Sequence, residues 1–161
     1  MPTPWWKNSR GELFVITQFI VFGLIALAPR TVPILSEWSP SAQAAGRIIG
    51  GFLLFTGAVL AAAGTCNLGR NLTPFICPKD GSVLLEQGAY RLVRHPIYSG
   101  RLQVGFGWGL WVHGWLTLSY GLFLFMVFDL KSRREEELLS RVFPDYAVYS
   151  SKVKRLIPFI Y

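Results

Sequence analysis

Four apolar segments separated by polar ones dominate the hydrophobic pattern of the chain. The first two run over residues 13–28 and 48–68. The next apolar stretch, Leu102 to Phe128, carries no formal charge, and it is too long for one ordinary membrane span and too short for two with a loop. We therefore expect a helical hairpin with arms at 97–112 and 115–130, turning near His113-Gly114.

The expected fold is all-α, an integral membrane bundle of about four transmembrane helices in a single domain over residues 1–161. The segment 67–99 contains several Pro and Gly residues and is expected to be a loop with a short turn at Lys79-Asp80-Gly81. The tail 131–161 is expected to be helical and to lie in the cytoplasm. Its apolar side would carry Leu138, Leu139, Val142 and Phe143, and after Pro144 a short helix would place Tyr146 and Tyr149 on one face.

Small residues recur in the second and third spans, and they predict close helix packing. In the second span they are Gly46, Gly50, Gly57 and Ala61; in the third, Gly105, Gly107 and Gly109. The latter three superficially resemble a phosphate-binding glycine loop but lack a preceding strand, which favours packing. His113 is interpreted as a turn residue at the far interface rather than as a ligand.

The charge pattern supports this membrane arrangement. The chain is 52% hydrophobic, contains six Trp and has a formal net charge of +7. All of its 16 Lys and Arg residues except Arg30 and Arg47 fall on one side of the predicted bundle, so both termini are expected in the cytoplasm. The basic residues lie at the ends of apolar stretches rather than along one face with interleaved aromatics, which argues against nucleic-acid binding.

Two features invite other interpretations of the chain. Ala26-Leu27-Ala28 resembles a signal-peptide cleavage site, but Pro29 follows it and the rest of the chain is also membrane-like, so we expect a retained span. Cys66 and Cys77 form no Cys-x-x-Cys pair and have no nearby His, so neither a metal site nor a disulfide framework is expected.

The segment from Gly88 to Gly100 is polar and cationic, and it therefore predicts a binding site. Pro96 suits the first position of a helix and biases His95 toward an extended backbone. The new helix would direct its free N–H groups toward Arg91, Arg94 and His95, a combination suited to an anionic or strongly polar ligand. The alternative is a positively charged loop that meets lipid phosphates or stays on the cytoplasmic side.

A second charged segment follows the fourth span and is expected to face the first. Lys131 and Glu135 lie one helical turn apart, so both can face the same pocket. The hairpin returns them to the membrane surface that carries Arg94 and His95.

These motifs together resemble the isoprenylcysteine carboxyl methyltransferase family and the related phospholipid N-methyltransferases. The resemblance covers about residues 66–160, whereas the first two spans match only in hydrophobicity. It is carried by Gly88-x-Tyr90-x-x-x-Arg94-His95-Pro96-x-Tyr98-x-Gly100, Glu135-Glu136, Phe143-x-x-Tyr146-x-x-Tyr149 and Val153-x-Arg155-x-x-Pro158. Upstream, Leu68-Gly69-Arg70-Asn71 and Pro74 form a pattern common in bacterial members.

The resemblance implies an enzyme that uses S-adenosylmethionine and releases S-adenosylhomocysteine. The implied cofactor-binding residues are Ser82, Val83, Leu84, Leu85, Tyr90, Arg94, His95, Pro96, Ile97, Tyr98 and Glu135. Lys131 stands where family members that methylate a prenylcysteine carboxylate have an arginine, and it lacks the two-pronged grip of a guanidinium. An amine acceptor would have to lose a proton, for which Tyr98, Glu136 and Tyr146 are candidates.

The leading hypothesis is therefore methyl transfer to a lipid-like or prenylated acceptor, a carboxylate or an amine, that enters laterally between helices at the cytoplasmic face of the inner membrane. One alternative is a membrane reductase of the sterol-reductase type, which binds a nicotinamide cofactor, NADPH. Another is a small membrane scaffold or sensor without activity, which predicts no affinity for S-adenosylmethionine.

Overall fold

The structure, a computed structural model, describes residues 11–77 and 81–161. Within these residues it is all-helical and has no strand. Lys7, Arg10 and most of the turn expected at Lys79-Asp80-Gly81 lie outside the described part. The helices are α1 (Glu12–Leu27), α2 (Pro40–Leu68), α3 (Pro96–Trp111), α4 (Trp115–Val142) and α5 (Tyr146–Lys152), with short 3-10 turns at Gly69–Asn71 and Gly88–Arg91.

The second helix is longer than the apolar pattern indicated. It begins at Pro40 rather than at Ile48, because Ser39 accepts a hydrogen bond from the Ala42 N–H at 3.3 Å and Pro40 occupies the first turn. Arg47 therefore lies inside α2 and not in the connection that precedes it. The other three predicted spans begin within one residue of the observed helices.

Helices α2 and α3 pack against each other through glycines. A Cβ atom placed on Gly57 would lie 2.6 Å from the Gly100 carbonyl oxygen, and one on Gly50 would lie 2.6 Å from that of Gly107. Backbones this close leave no room for side chains. The packing role predicted for the glycines of both spans is confirmed.

The hairpin turns at His113, as predicted. This residue adopts a positive φ of 56°, and its ring nitrogen Nε2 lies 3.1 Å from the Gln43 carbonyl oxygen of α2. Beyond the turn, α4 continues without interruption to Val142. The fourth predicted span and the predicted tail helix are thus one helix, which carries Lys131 and Glu135 directly from the bundle core.

The core lies where α1, α3 and α4 meet. Val21, Leu124 and Phe128 are almost completely buried there, together with Leu156 of the tail. Large apolar side chains of α1, α2 and α4 point outward instead; examples are Ile20, Phe52, Phe55 and Leu122. Apolar groups on both the inside and the outside are typical of helices in lipid.

One helical stretch in the described residues is long and apolar enough to cross a membrane, namely Pro40–Asn71. Helix α1 is apolar but shorter. The arrangement with four spans therefore stays a prediction.

The chain end packs beneath the start of α3. The backbone N–H groups of Arg94 and His95 donate to the carbonyl oxygens of Lys154 and Arg155 at 2.8 and 3.1 Å. The hydroxyl of Tyr161 donates to Asp129 on α4 at 2.9 Å. The tail thereby fixes the backbone that precedes Pro96.

Candidate functional site

A cavity of about 260 Å³ opens where residues 71–77 and 82–85, the start of α3, the middle of α4 and α5 come together. We call it the main cavity. Its wall combines apolar side chains with several ionisable ones, which is the usual character of a small-molecule site. Gln18 and Phe19 of α1 close it from the side.

The main cavity brings together almost all of the residues predicted to bind a cofactor. Those on its wall are Ser82, Val83, Leu84, Leu85, Tyr90, Arg94, His95, Ile97, Tyr98 and Glu135. Lys131 and Tyr146 are there too, whereas Pro96 and Glu136 are not. Pro96 instead packs where Gly64 leaves space on α2, since a Cβ on Gly64 would lie 2.9 Å from the proline ring.

Glu135 is the carboxylate that faces the main cavity. Its Oε2 accepts a hydrogen bond from the Tyr98 hydroxyl at 3.0 Å and lies 3.7 Å from Nδ1 of His95. The rings of His95 and Tyr98 are stacked, with centroids 5.4 Å apart, and Tyr98 stacks in turn on Phe128. Because Tyr98 is held on both faces, the Glu135 carboxylate has a fixed orientation.

Arg94, on the cavity wall, forms an ion pair with Glu136 behind it. The guanidinium donates to both carboxylate oxygens, with Nε 2.7 Å from Oε1 and Nη2 3.1 Å from Oε2. Its Nη1 donates to the carbonyl oxygens of Ser150 and Val153 at 2.6 Å. Arg94 thus fastens α5 and the residues after it to α4.

Glu136 remains ionised down to low pH. Burial alone would raise its pKa, but hydrogen bonds from His95 and Arg94, together with their charges, outweigh burial and lower the pKa to about 2. Nε2 of His95 lies 3.2 Å from Glu136 Oε1. The imidazole is therefore held between two carboxylates.

Lys131 is buried, with only 1% of its surface exposed. Its Nζ donates to Gln18 Oε1 of α1 and to the Pro74 carbonyl oxygen, both at 2.9 Å, and lies 5.1 Å from the centre of the Tyr98 ring. Burial lowers the pKa of Lys131 to about 8, against an opposing effect of Glu135. Two of its three N–H groups are thus engaged within the protein.

Three tyrosines surround the opposite side of the cavity. The Tyr149 hydroxyl donates to the Tyr90 carbonyl oxygen at 2.6 Å, which ties α5 to the 3-10 turn. Burial raises the pKa of Tyr90, Tyr146 and Tyr149. These hydroxyls therefore stay protonated at neutral pH.

Two buried hydroxyl groups on the cavity wall lack a hydrogen bond. Within residues 11–77 and 81–161, Ser82 Oγ has no partner, and the Tyr146 hydroxyl has none with good hydrogen-bond geometry, although the Glu136 carboxylate lies near enough to raise its pKa. Buried polar atoms without a partner are rare in proteins. These two are therefore candidates for contact with a bound molecule.

The segment 82–85 is positioned by two asparagines. Asn71 Nδ2 donates to the Val83 carbonyl oxygen at 3.2 Å, and Asn67 Oδ1 accepts from the Ala89 N–H at 2.9 Å. Gly88 adopts a positive φ of 60°, and Asn67 occupies the space of any Cβ there. The glycine of the motif thus serves the turn and its anchor.

Sequence reasoning assigned no role to four polar residues on the cavity wall, namely Gln18, Asn71, Thr73 and Arg101. Gln18 and Arg101 stand out in the sequence as polar residues within apolar stretches. Asn71 belongs to the Leu68-Gly69-Arg70-Asn71 motif of the family resemblance. Among the described residues, no group of three His, Cys, Asp or Glu side chains is placed to hold a metal ion.

Known proteins resemble this chain over most of its length. Two proteins named probable protein-S-isoprenylcysteine O-methyltransferase, from Oryza sativa subsp. indica and subsp. japonica, are each 32% identical to it over 116 residues. This alignment covers 70% of the chain and 61% of each relative, so the chain spans less than two thirds of their length.

The phospholipid methyltransferase family matches residues 45–146. This range contains most of α2, all of α3 and α4, and nearly the whole wall of the main cavity. A match over more than half of the chain shows membership, and the chain belongs to the phospholipid methyltransferase family.

Proposed function

We propose that the protein transfers a methyl group from S-adenosylmethionine to a lipid-like or prenylated acceptor at the cytoplasmic face of a membrane. Family membership and the names of the two rice relatives support methyl transfer. The main cavity supports a specific place for it, because it collects the residues predicted to bind the cofactor.

One observation carries the proposal, namely an oriented carboxylate that shares a cavity with unpartnered hydroxyl groups. Glu135 is held by Tyr98, and its Oε1 accepts no hydrogen bond from the described residues. It can therefore accept from ammonium or ribose hydroxyl groups of the cofactor. Ser82 Oγ and the Tyr146 hydroxyl can donate to the carboxylate or the adenine ring of the cofactor. The residues present thus fit S-adenosylmethionine.

Methyl transfer requires little of the protein beyond positioning the two reactants. S-adenosylmethionine supplies an electrophilic methyl group on a sulfonium, whose displacement leaves a neutral thioether. The stacked His95, Tyr98 and Phe128 fix one part of the cavity wall, and the buried Tyr146 and Tyr149 of α5 form another. Alignment of two reactants in a dry site accounts for large rate enhancements without a nucleophile.

Both acceptor types remain part of the proposal. A carboxylate acceptor arrives ionised and needs no base, and Lys131 on the cavity wall provides a positive charge for it. An amine acceptor must lose a proton, and the protonated Tyr98 on the cavity wall can pass that proton to Glu135, to which its hydroxyl already donates. Glu136 acts through Arg94 and His95, which its oxygens already contact.

Calorimetry of the purified protein with S-adenosylhomocysteine and with NADPH separates the three hypotheses. We expect micromolar binding of the first ligand and none of the second. Substitution Glu135→Gln should weaken binding at least tenfold, equivalent to about 1.4 kcal/mol. The matched control is Glu137→Gln, because Glu137 is exposed and outside the cavity wall.

Binding of NADPH alone would favour the reductase. Folded protein that binds neither ligand would favour the scaffold and refute the proposal. Incubation with labelled S-adenosylmethionine and a membrane lipid extract would then identify the acceptor, since the methylated product carries the label.

A further inference from the structure

A second opening lies beside the main cavity and is lined by all four long helices. It is an open groove of about 460 Å³, with walls from Phe22 and Ile25 of α1, Leu54 of α2, Val104 and Trp108 of α3 and Leu124 of α4. We call it the side groove. Its wall is apolar apart from one residue, Arg101, and the indole N–H of Trp108.

Arg101 belongs to the walls of both the main cavity and the side groove. It lies one turn into α3, within a predicted membrane span. A charged side chain at that depth is costly and is normally paired. Arg101 nevertheless makes no hydrogen bond or ion pair with residues 11–77 or 81–161, and its guanidinium lies 5.7 Å from the centre of the Phe22 ring.

No carboxylate is paired with Arg101 within the described part of the chain. Lys131 lies close enough for the Arg101 charge to lower the pKa of the lysine. Glu135, the carboxylate of the main cavity, is already bonded to Tyr98. Two neighbouring cations and five free guanidinium N–H groups make this junction a site for an anion.

We propose that Arg101 binds an anionic group of the methyl acceptor while the apolar chain of the acceptor lies in the side groove. The inference rests on the proposed function, since it takes the groove's occupant to be the acceptor. An amphiphile bound in this way has its head group at the opening into the main cavity. Its chain runs toward Trp108, seven residues further along α3 and about 10 Å away along the helix axis.

This placement differs from that suggested by the family resemblance, in which Lys131 meets the acceptor. Two N–H groups of Lys131 are taken by Gln18 and Pro74, whereas the guanidinium of Arg101 keeps its donors free. A guanidinium also offers the two-pronged geometry that matches carboxylate and phosphate groups. Arg101 is therefore the specificity-determining residue, and Lys131 supports it with its charge.

Fluorescence quenching by brominated amphiphiles tests the inference without enzyme activity. The protein is placed in nanodiscs of neutral lipid and titrated with 9,10-dibromostearate, dibromostearyl phosphate, dibromostearyl alcohol and dibromostearylamine. We expect the two anionic probes to quench tryptophan fluorescence at least tenfold more tightly than the alcohol or amine. Whichever of the two anionic probes binds more tightly identifies carboxylate or phosphate as the anionic group.

Variants locate the binding site. Trp108→Phe should remove most of the preferential quenching by the anionic probes. Arg101→Gln should abolish the preference for these probes, and Arg101→Lys should retain part of it. Arg47→Gln is the matched control, because Arg47 is exposed on α2 and lines neither opening. Arg47→Gln should leave both the preference for anionic probes and the affinity for S-adenosylhomocysteine unchanged.

Equal quenching by all four probes in the unaltered protein would overturn the inference, since the groove would then be a lipid-facing crevice without head-group recognition. The inference would also be overturned if the preferential quenching by the anionic probes persisted in Trp108→Phe. Loss of S-adenosylhomocysteine binding in folded Arg101→Gln, with the anionic preference intact, would assign Arg101 to the cofactor instead. Failure of the unaltered protein to bind S-adenosylhomocysteine refutes the proposed function separately.

Discussion

At the scale of single residues, the site consists of buried charges that share partners. The Glu136 carboxylate is hydrogen-bonded to Arg94 and His95, and the Glu135 carboxylate accepts a hydrogen bond from Tyr98. Lys131 donates to Gln18. Each pair joins two elements of the fold. Loss of one partner leaves a buried polar group unsatisfied, which costs more than the hydrogen bond itself is worth.

The pKa of Glu136 predicts acid sensitivity. The carboxyl titrates near 4.5 when unfolded and near 2 in the folded protein, so the folded state binds fewer protons between these values. Its stabilising effect, about 3 kcal/mol, is present above pH 4.5 and is lost as the pH falls toward 2. Unfolding temperatures measured across this range should fall more steeply than those of Glu136→Gln, and parallel curves would contradict the prediction.

Gln18 and Lys131 are expected to be coupled. Gln18→Leu removes one of the two hydrogen bonds of Lys131 and should destabilise the protein by about 1–3 kcal/mol. The double variant Gln18→Leu with Lys131→Met removes both polar groups and should recover part of that loss. Denaturation of the four proteins gives the coupling energy, and strictly additive effects would show that the contact is unimportant.

At the scale of helices, the glycine contact between α2 and α3 sets the position of the site. Gly57 and Gly100 let the two backbones touch, and Gly64 gives Pro96 the space to start α3. The hairpin then carries α4 back along α3, so Glu135 reaches the His95 ring. The spacing between the two helices thus controls the shape of the main cavity.

Gly57→Ala is therefore expected to destabilise the protein strongly. The added methyl group would lie 2.6 Å from the Gly100 carbonyl oxygen and 2.7 Å from Gln103 Cβ, so the helices must separate, at a cost of about 2 kcal/mol or more. The control is Gly23→Ala on α1, where no atom lies within 4 Å of the new Cβ. Equal unfolding temperatures for the two variants would rule out close packing as the reason for Gly57.

At the scale of the whole molecule, the fold joins a helical bundle to a polar cap made of residues 71–77 and 82–85, α5 and the residues that follow α5. Helix α2 has 29 residues and is about 44 Å long, which exceeds the hydrocarbon thickness of about 30 Å. Its ends therefore extend beyond the bilayer when it spans one. The distribution of Lys and Arg predicts that the polar cap lies in the cytoplasm.

Cysteine labelling tests this orientation. In a background with Cys66→Ser and Cys77→Ser, we expect Ser140→Cys to react with an impermeant maleimide only from the cytoplasmic side. Ser41→Cys, at the start of α2, should react only from the opposite side. Both serines are exposed, so accessibility is matched. Labelling of both from the same side would exclude the predicted topology.

The hydrophobic pattern was sufficient for much of the fold because helix spans and breaks are local properties. The starts of α1, α3 and α4 and the turn at His113 were predicted within a residue. The start of α2 was missed, since its cap at Ser39 precedes a polar first turn that carries no apolar signal. The sequence predicted a span ending near residue 130 followed directly by a helical tail, and the structure shows that the two are one helix, α4.

The sequence by itself determined the helices, the hairpin, the family and most of the residues on the cavity wall, since these depend on local pattern and on motifs. Only the tertiary structure decided which of those residues are free to bind. In the tertiary structure Arg94 is hydrogen-bonded to Glu136, and Lys131 to Gln18. Arg101, Ser82 and Tyr146 have no hydrogen bond of good geometry to the described residues. Such pairing is settled by contacts between residues far apart in the chain, up to 113 positions in the case of Gln18 and Lys131, and no local pattern records them.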